Sequence, residues 1–230
     1  MSNKQHIVFL TGAGMSAESG ISTFRDSNGL WEQYDVMEVA SIEGWHRNPV
    51  LVQQFYNDRR AQLNSVAPNQ GHKIIAELEK SYSVSIITQN VDNLHERAGS
   101  STVIHLHGEL TKACNADKTS IYEIGTRAIL PEEKAEDGSV LRPFIVWFGE
   151  AVPLIEKAME IVSTADMVVI VGTSMQVYPA AGLIRYVKRS APVFLIDPNN
   201  VDVSSNVTVI KEKASIGMAI LEKKIKLLFT

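Results

Sequence analysis

Four short apolar runs rich in β-branched residues punctuate the chain, at positions 7–10, 84–88, 167–171 and 193–196. Continuous apolar runs of this length suit strands covered on both faces, as in a parallel sheet. Between them, apolar residues recur at helical spacing. Residues 71–80 carry Ile74, Ile75 and Leu78 on one stripe, and residues 154–164 form a second helical stretch. Residues 179–189 predict a third, opened by Pro179, because the first turn of a helix tolerates proline. Residues 215–229 place Ile216, Ala219 or Ile220, and Leu227 or Leu228 at the same spacing with lysines between, which predicts a helix docked on the sheet. Alternating strands and helices imply an open α/β domain.

Two stretches interrupt the alternation. Residues 27–68 are rich in Trp, Tyr, Arg and Gln, and residues 109–140 are polar with an acidic segment from Glu132 to Asp137. Both read as excursions from the sheet that pack together as a small second lobe, leaving a cleft where ligands commonly bind. The composition is that of a globular protein: 230 residues, 45% hydrophobic, 21% charged. A net charge of −4 supplies no broad basic field for nucleic acid or an anionic membrane. The apolar run at 7–10 is short for a signal-peptide core, and 167–171 is far short of a membrane span. A cytoplasmic location is therefore expected. The single cysteine, Cys114, excludes an internal disulfide and a Cys-rich metal site.

Thr11-Gly12-Ala13-Gly14-Met15-Ser16-Ala17 directly follows the first run. This is the GxGxxA form of the dinucleotide fingerprint, in its strand–turn–helix context. In that pattern Gly12 permits a tight turn, Gly14 lets pyrophosphate approach the backbone, and Ala17 allows close helix packing. A dehydrogenase would next show a second strand ending in an acidic residue ~20 positions on. Here the chain runs through Phe24-Arg25-Asp26 into Gly29-Leu30-Trp31, and no strand leads into Asp35. The pattern points to NAD and away from hydride transfer.

The ordered motifs resemble those of the sirtuins. Residues 12–20 with Phe24-Arg25 resemble the family's cofactor-binding loop, and Gln89-Asn90-Val91-Asp92 followed by Leu94-His95 resembles its nicotinamide pocket. His105-Leu106-His107-Gly108 resembles the catalytic histidine motif, and Val146-Trp147-Phe148-Gly149-Glu150 the substrate-binding strand. Gly172-Thr173-Ser174 and Asp197-Pro198-Asn199 resemble the phosphate and adenosine-ribose contacts. The resemblance implies a Rossmann-like parallel sheet flanked by helices (about 1–26, 69–108 and 141–230) in one catalytic domain. The smaller lobe would be built from two insertions, about 27–68 and 109–140.

It further implies NAD-dependent removal of acyl groups from protein lysines, with NAD consumed and nicotinamide, O-acyl-ADP-ribose and free lysine released. Acyl-lysine proteins are then the partners, and a monomer is expected. The cofactor contacts carried over are Gly12, Ala13, Gly14, Ala17 and Glu18, then Phe24, Arg25 and Trp31 of the lid. Gln89, Asn90, Val91 and Asp92 follow, with Gly172, Thr173, Ser174, Asn199 and Ala214 on the later strands. His107 matches the general base, and an imidazole near pKa 6.5 suits that task. Asn90 and Asp92 match the groups holding the nicotinamide carboxamide, although Asp92 also reads as a helix N-cap. His105 shares a face with His107 on any continuous strand, whereas His6, His46, His72 and His95 read as surface or structural residues.

Tyr56 and Arg59 share a helix face and match the motif by which one sirtuin class recognises succinyl- and malonyl-lysine. Ala17 matches a small residue leaving room for the longer acyl group, and Arg60 reads as solvent-facing. Val146, Phe148, Gly149 and Glu150 are expected to pair with substrate backbone, Glu150 reading alternatively as merely solvated. One departure stands out. Most sirtuins bind zinc through four cysteines after the catalytic histidine; here Cys114 stands alone, Asp117 occupies a partner position, and no Cys or His follows through Leu141. A metal-free small lobe is expected, held by Ile121, Tyr122, Ile124, Ile129 and Leu130. Another NAD-consuming activity, ADP-ribosyl transfer or NAD hydrolysis, is the main rival, and a non-catalytic NAD-binding module a weaker one.

Overall fold

A computed structural model describes residues 4–21, 34–173 and 180–229. The four apolar runs form strands β1 (His6–Thr11), β2 (Ser83–Thr88), β7 (Met167–Val171) and β8 (Val193–Ile196). They lie in a six-stranded parallel sheet of order β3-β2-β1-β7-β8-β9, with β3 (Val103–His105) and β9 (Val207–Ile210) at its edges. The edges escaped the hydrophobic pattern because β3 is three residues long and β9 is largely exposed. Because β1 lies between β2 and β7, the winding direction reverses there, and the C-terminal ends of β1 and β7 open a crevice.

Alternate residues of β1 feed opposite faces. Ile7 and Phe9 pack with Ile75 of α5 (Gln70–Leu78) and with Met218 and Leu221 of α8 (Ala214–Leu228). Val8 and Leu10 pack with Ala158 and Val162 of α7 (Ile155–Thr164) and with Leu183. Leu183 belongs to a 3-10 helix, Ala180–Tyr186, where the pattern predicted an α-helix. Gly182 in mid-segment weakens an α-helix there, and Pro179 lies outside the described residues.

The two excursions do meet. The first supplies α2 (Val36–Val39), α3 (Ile42–Arg47) and α4 (Pro49–Gln62). The second supplies an antiparallel sheet of order β5-β4-β6, made of β4 (Gly108–Cys114), β5 (Ile121–Glu123) and β6 (Arg142–Ile145). Val52, Phe55, Tyr56 and Leu63 bury against Leu110, Ile145 and Trp147. A satellite cluster holds Ala113, Ile124, Ile129, Ala135 and Leu141, with Tyr122 packed on it. Ile121 and Leu130, expected inside this lobe, are exposed instead, and Leu141 and Ala135 take their place. Two short helices complete the fold, α1 (Ala13–Ala17) after β1 and α6 (Leu94–Ala98) after β2. Among the described residues no helix is long and apolar enough to cross a membrane.

Candidate active site

A cleft of about 760 Å³, partly open to solvent, lies between the lobes at the C-terminal ends of β1 and β2. It brings together Asn90, Asp92, His107, Tyr56 and Arg59, which are spread over some fifty residues of sequence, and Ala13, Gln89 and Val91 line it with them. Asn199 and Ala214 follow β8 and β9 at the same edge of the sheet. Phe24, Arg25, Trp31 and Ser174 lie outside the described residues.

The glycine turn is built differently from the fingerprint's usual rationale. Gly12 is extended (φ −130°, ψ −169°), a conformation open to any residue. What demands glycine is proximity: a Cβ on Gly12 would stand 2.7 Å from the Thr173 Cβ, and one on Gly14 2.6 Å from the Gly172 Cα. Gly172 itself has φ +61°. The amides of Gly12 and Gly14 donate to the Val171 and Gly172 carbonyls at 3.0 and 2.9 Å. Gly14 therefore locks the β1 turn to the β7 turn, and its N–H is committed to that lock rather than offered to pyrophosphate. Gln89 adds a third tie, donating to the Thr173 hydroxyl at 3.1 Å. Ala17 is exposed at the end of α1, neither packing the helix nor facing the cleft. Glu18 accepts from the Ser215 amide at 2.8 Å, and Asn199 donates to Asp197.

Ser16 organises the cleft floor. Its hydroxyl donates to Asp92 Oδ2 at 2.9 Å and accepts from Asn90 Nδ2 at 3.1 Å, while Asn90 Nδ2 also reaches the Gly12 carbonyl at 3.0 Å. The N-cap position of α6 falls on Asn93 rather than the expected Asp92, but Asp92 Oδ1 accepts from the first helical amide, that of Leu94, at 3.1 Å, and the same carboxyl faces the cleft. Burial pushes its pKa up, against the pull of these donors.

The strand ends at His105, which separates the two histidines. His105 is buried, with Nδ1 2.9 Å from the Asn90 carbonyl and Nε2 2.8 Å from Glu96. Both partners only accept, so both nitrogens carry protons, and despite its burial Glu96 raises the His105 pKa. His107 faces the cleft with Nδ1 3.0 Å from the Gln89 carbonyl. A carbonyl cannot donate, so Nδ1 bears the hydrogen and Nε2 is the basic nitrogen. Burial lowers the His107 pKa, and the Gln89 carbonyl only partly opposes this. His72 and His95 meet edge to face at 4.8 Å in the interior, where burial lowers both pKa values; they are structural.

Helix α4 carries the far wall. Asn48 caps it, accepting from the Leu51 amide, and Pro49 occupies the first turn. Tyr56 and Arg59 both line the cleft. Burial pushes the Tyr56 phenol up to about 12, so it stays protonated and able to donate. Burial also lowers the Arg59 pKa, with Tyr56 and Asp92 opposing. Ala40 also lines the cleft, and Ala17 is not among its lining residues. Arg60 is fully buried, not solvent-facing.

Two further expectations need correction. Residues 146–150 are not a free edge: β6 ends at Ile145, the Val146 amide donates to the His107 carbonyl, and Phe148 exchanges main-chain bonds with Ala40 and Ile42. Gly149 has φ +89°, outside strand geometry. Glu150 is not merely solvated; its carboxylate is engaged within the chain. It takes two hydrogen bonds from Arg142 (3.0 and 3.1 Å), one from Lys118 (2.8 Å) and one from the Trp147 amide. Burial acts to raise its pKa, but Arg142 and Lys118 outweigh it and hold the carboxyl below the usual range.

The model of the Sir2 family matches residues 12–179. An NAD-dependent protein deacylase from Bacteroides thetaiotaomicron is 57% identical, over 95% of this chain and 97% of its own length. Another, from Helicobacter pylori, is 51% identical, over 96% of this chain and 97% of its own. The crystal structure of a Sir2 homologue in complex with NAD superposes with a TM-score of 0.88 at 38% identity, covering 99% of this chain and 91% of that one. This chain belongs to the Sir2 family. Some of this sirtuin's cleft escaped the sequence motifs: Ala40, Leu63, Leu110 and Ile145 line it, and Ser16 was read only as a letter of the glycine turn. Their signal was available only as apolar or small residues beside the two excursions.

Proposed function

We infer that this sirtuin, an NAD-dependent protein deacylase, removes succinyl and malonyl groups from lysine in addition to acetyl groups. The observation that carries this is the cleft itself, which a cation and a phenol on α4 line together with His107. Arg59 offers a planar fork to a carboxylate, and Tyr56 adds a donor. An acyl chain ending in a carboxylate brings a charged acceptor to both; an acetyl group brings none.

The buried carboxyl of Asp92 beside the Asn90 amide suits a carboxamide, and the cleft floor therefore fits the nicotinamide end of NAD. NAD would supply an electrophilic ribose carbon, at which the acyl oxygen displaces nicotinamide. His107 Nε2 would then take a proton from a ribose hydroxyl as that oxygen adds to the acyl carbon; the carbon–nitrogen bond breaks to release lysine, and water completes the conversion to O-acyl-ADP-ribose. The Gln89 carbonyl keeps the imidazole in the required tautomer. Substrate backbone is expected to run along residues 146–150, where Phe148 and Gly149 are exposed. The two lobes act as one catalytic unit, without zinc.

The test compares succinyl-, malonyl- and acetyl-lysine peptides with NAD and identifies the acylated product. Arg59→Met is expected to lower kcat/KM for the succinyl peptide ~10–150-fold, the range for an unmade charged contact, with a much smaller loss on the acetyl peptide. Equal losses on both would remove the carboxylate role. Release of ADP-ribose or its transfer to protein, with no O-acyl-ADP-ribose, would instead indicate another NAD-consuming activity.

A further inference from the structure

Helix α4 works on two faces. Gln53, Asn57 and Arg60 recur at spacings of four and three and share one face, and Tyr56 and Arg59 lie about a quarter turn round. Each residue of the first set grips the backbone of the second excursion. Gln53 Nε2 donates to the Leu141 carbonyl at 3.0 Å. Asn57 donates to the Ile129 carbonyl and accepts from the Ile129 amide, both at 2.9 Å. Arg60 Nε donates to the Leu110 carbonyl, and its Nη1 donates to Asn57 Oδ1 at 2.7 Å.

Gln53 and Arg60 are buried, and among the described residues no carboxylate pairs with Arg60. A buried cation spent on carbonyls is a poor way to gain stability, and an apolar side chain would bury at lower cost. What the ladder does achieve is registry. Leu110, held by Arg60, lines the cleft together with Arg59, and the helix that presents Tyr56 cannot slide along β4 or along residues 129–141 without breaking these bonds.

We propose that Gln53, Asn57 and Arg60 are positioning residues that hold α4 in register with β4 and with residues 129–141, and so set the acyl-recognition end of the cleft. The inference rests on the acyl role given to Tyr56 and Arg59. Asn57→Ala and Arg60→Lys in the full chain test it, with Gln53→Leu as a shape-preserving variant should either of the first two fail to fold. In each folded variant, KM for the succinyl peptide is expected to rise ~10-fold, the scale of losing one or two hydrogen bonds, while kcat and the KM for NAD stay within about twofold. A merely structural role would lower kcat in proportion to the folded fraction and leave KM unmoved. That result, or a wild-type KM in folded Asn57→Ala, overturns the proposal. If the wild type acts on acetyl- but not succinyl-lysine, the acidic-acyl assignment fails on its own. The ladder is then judged on the acetyl peptide by the same KM criterion.

Discussion

His105 and His107 lie two residues apart, and the end of β3 between them gives them opposite chemistry. His105 donates from both nitrogens and is held as a cation; His107 donates from one and keeps a basic Nε2 toward the cleft. Only the neutral imidazole can take a proton, and burial lowers its pKa in the folded protein. The sign follows: activity is full above that pKa and is lost as pH falls through it, so the acid limb of kcat/KM inflects below 6.5. His107→Ala is expected to cut turnover by ~10²–10⁴-fold while leaving the thermal transition cooperative. An inflection at or above 6.5, or near-normal turnover in the variant, would remove His107 from the base role. This residue was legible in the sequence because its motif is contiguous. Arg60 was not: its burial depends on carbonyls of Leu110 and on Asn57, which only the folded chain brings to it. Ala40 was missed for the same reason, and Ala17, chosen for its place in the motif, faces away.

Among the elements, the strands buried on both faces were legible because burial makes their sequences continuously apolar; β1, β2, β7 and β8 appear within a residue or two of the predicted bounds. The edge strand β9, half covered, carries no such run. The glycine turn was recognised, but its cause was not, because the neighbour that forbids a Cβ at Gly14 lies on β7, more than 150 residues on. The crowding makes a specific prediction. Gly14→Ala places a methyl 2.6 Å from backbone, which cannot rotate away, so the β1 and β7 turns must separate. The expected cost is about 1–3 kcal/mol of stability, as for overpacking elsewhere, read by urea denaturation together with a raised KM for NAD. A Gly14→Ala protein with wild-type midpoint and KM would show that the interlock gives way freely.

At the scale of the whole molecule, the small lobe has to hold its shape with one cysteine. Cys114 is buried, its thiol directed at the Pro143 carbonyl at 3.8 Å, and burial pushes its pKa up to about 11, away from the thiolate that binds metal. Asp117, at the expected partner position, spends Oδ1 on the amide and hydroxyl of Thr119. Among the described residues no three His, Cys, Asp or Glu converge as ligands. In their place stand the apolar cluster around Ile129 and Leu141 and the Glu150 carboxylate clamped by Arg142 and Lys118, with Arg142 lying 3.8 Å over the Trp147 ring. On this reading packing and one partly buried ion network hold the lobe, and chelation is expected to leave it intact. Overnight chelation followed by dialysis should leave both the melting temperature and deacylation unchanged, and Cys114→Ala should cost no more than about 1–2 kcal/mol of packing. Zinc at about one ion per chain in purified protein, or a chelator-induced loss of stability that zinc restores, would mean that the lobe recruits ligands as a structural zinc site does.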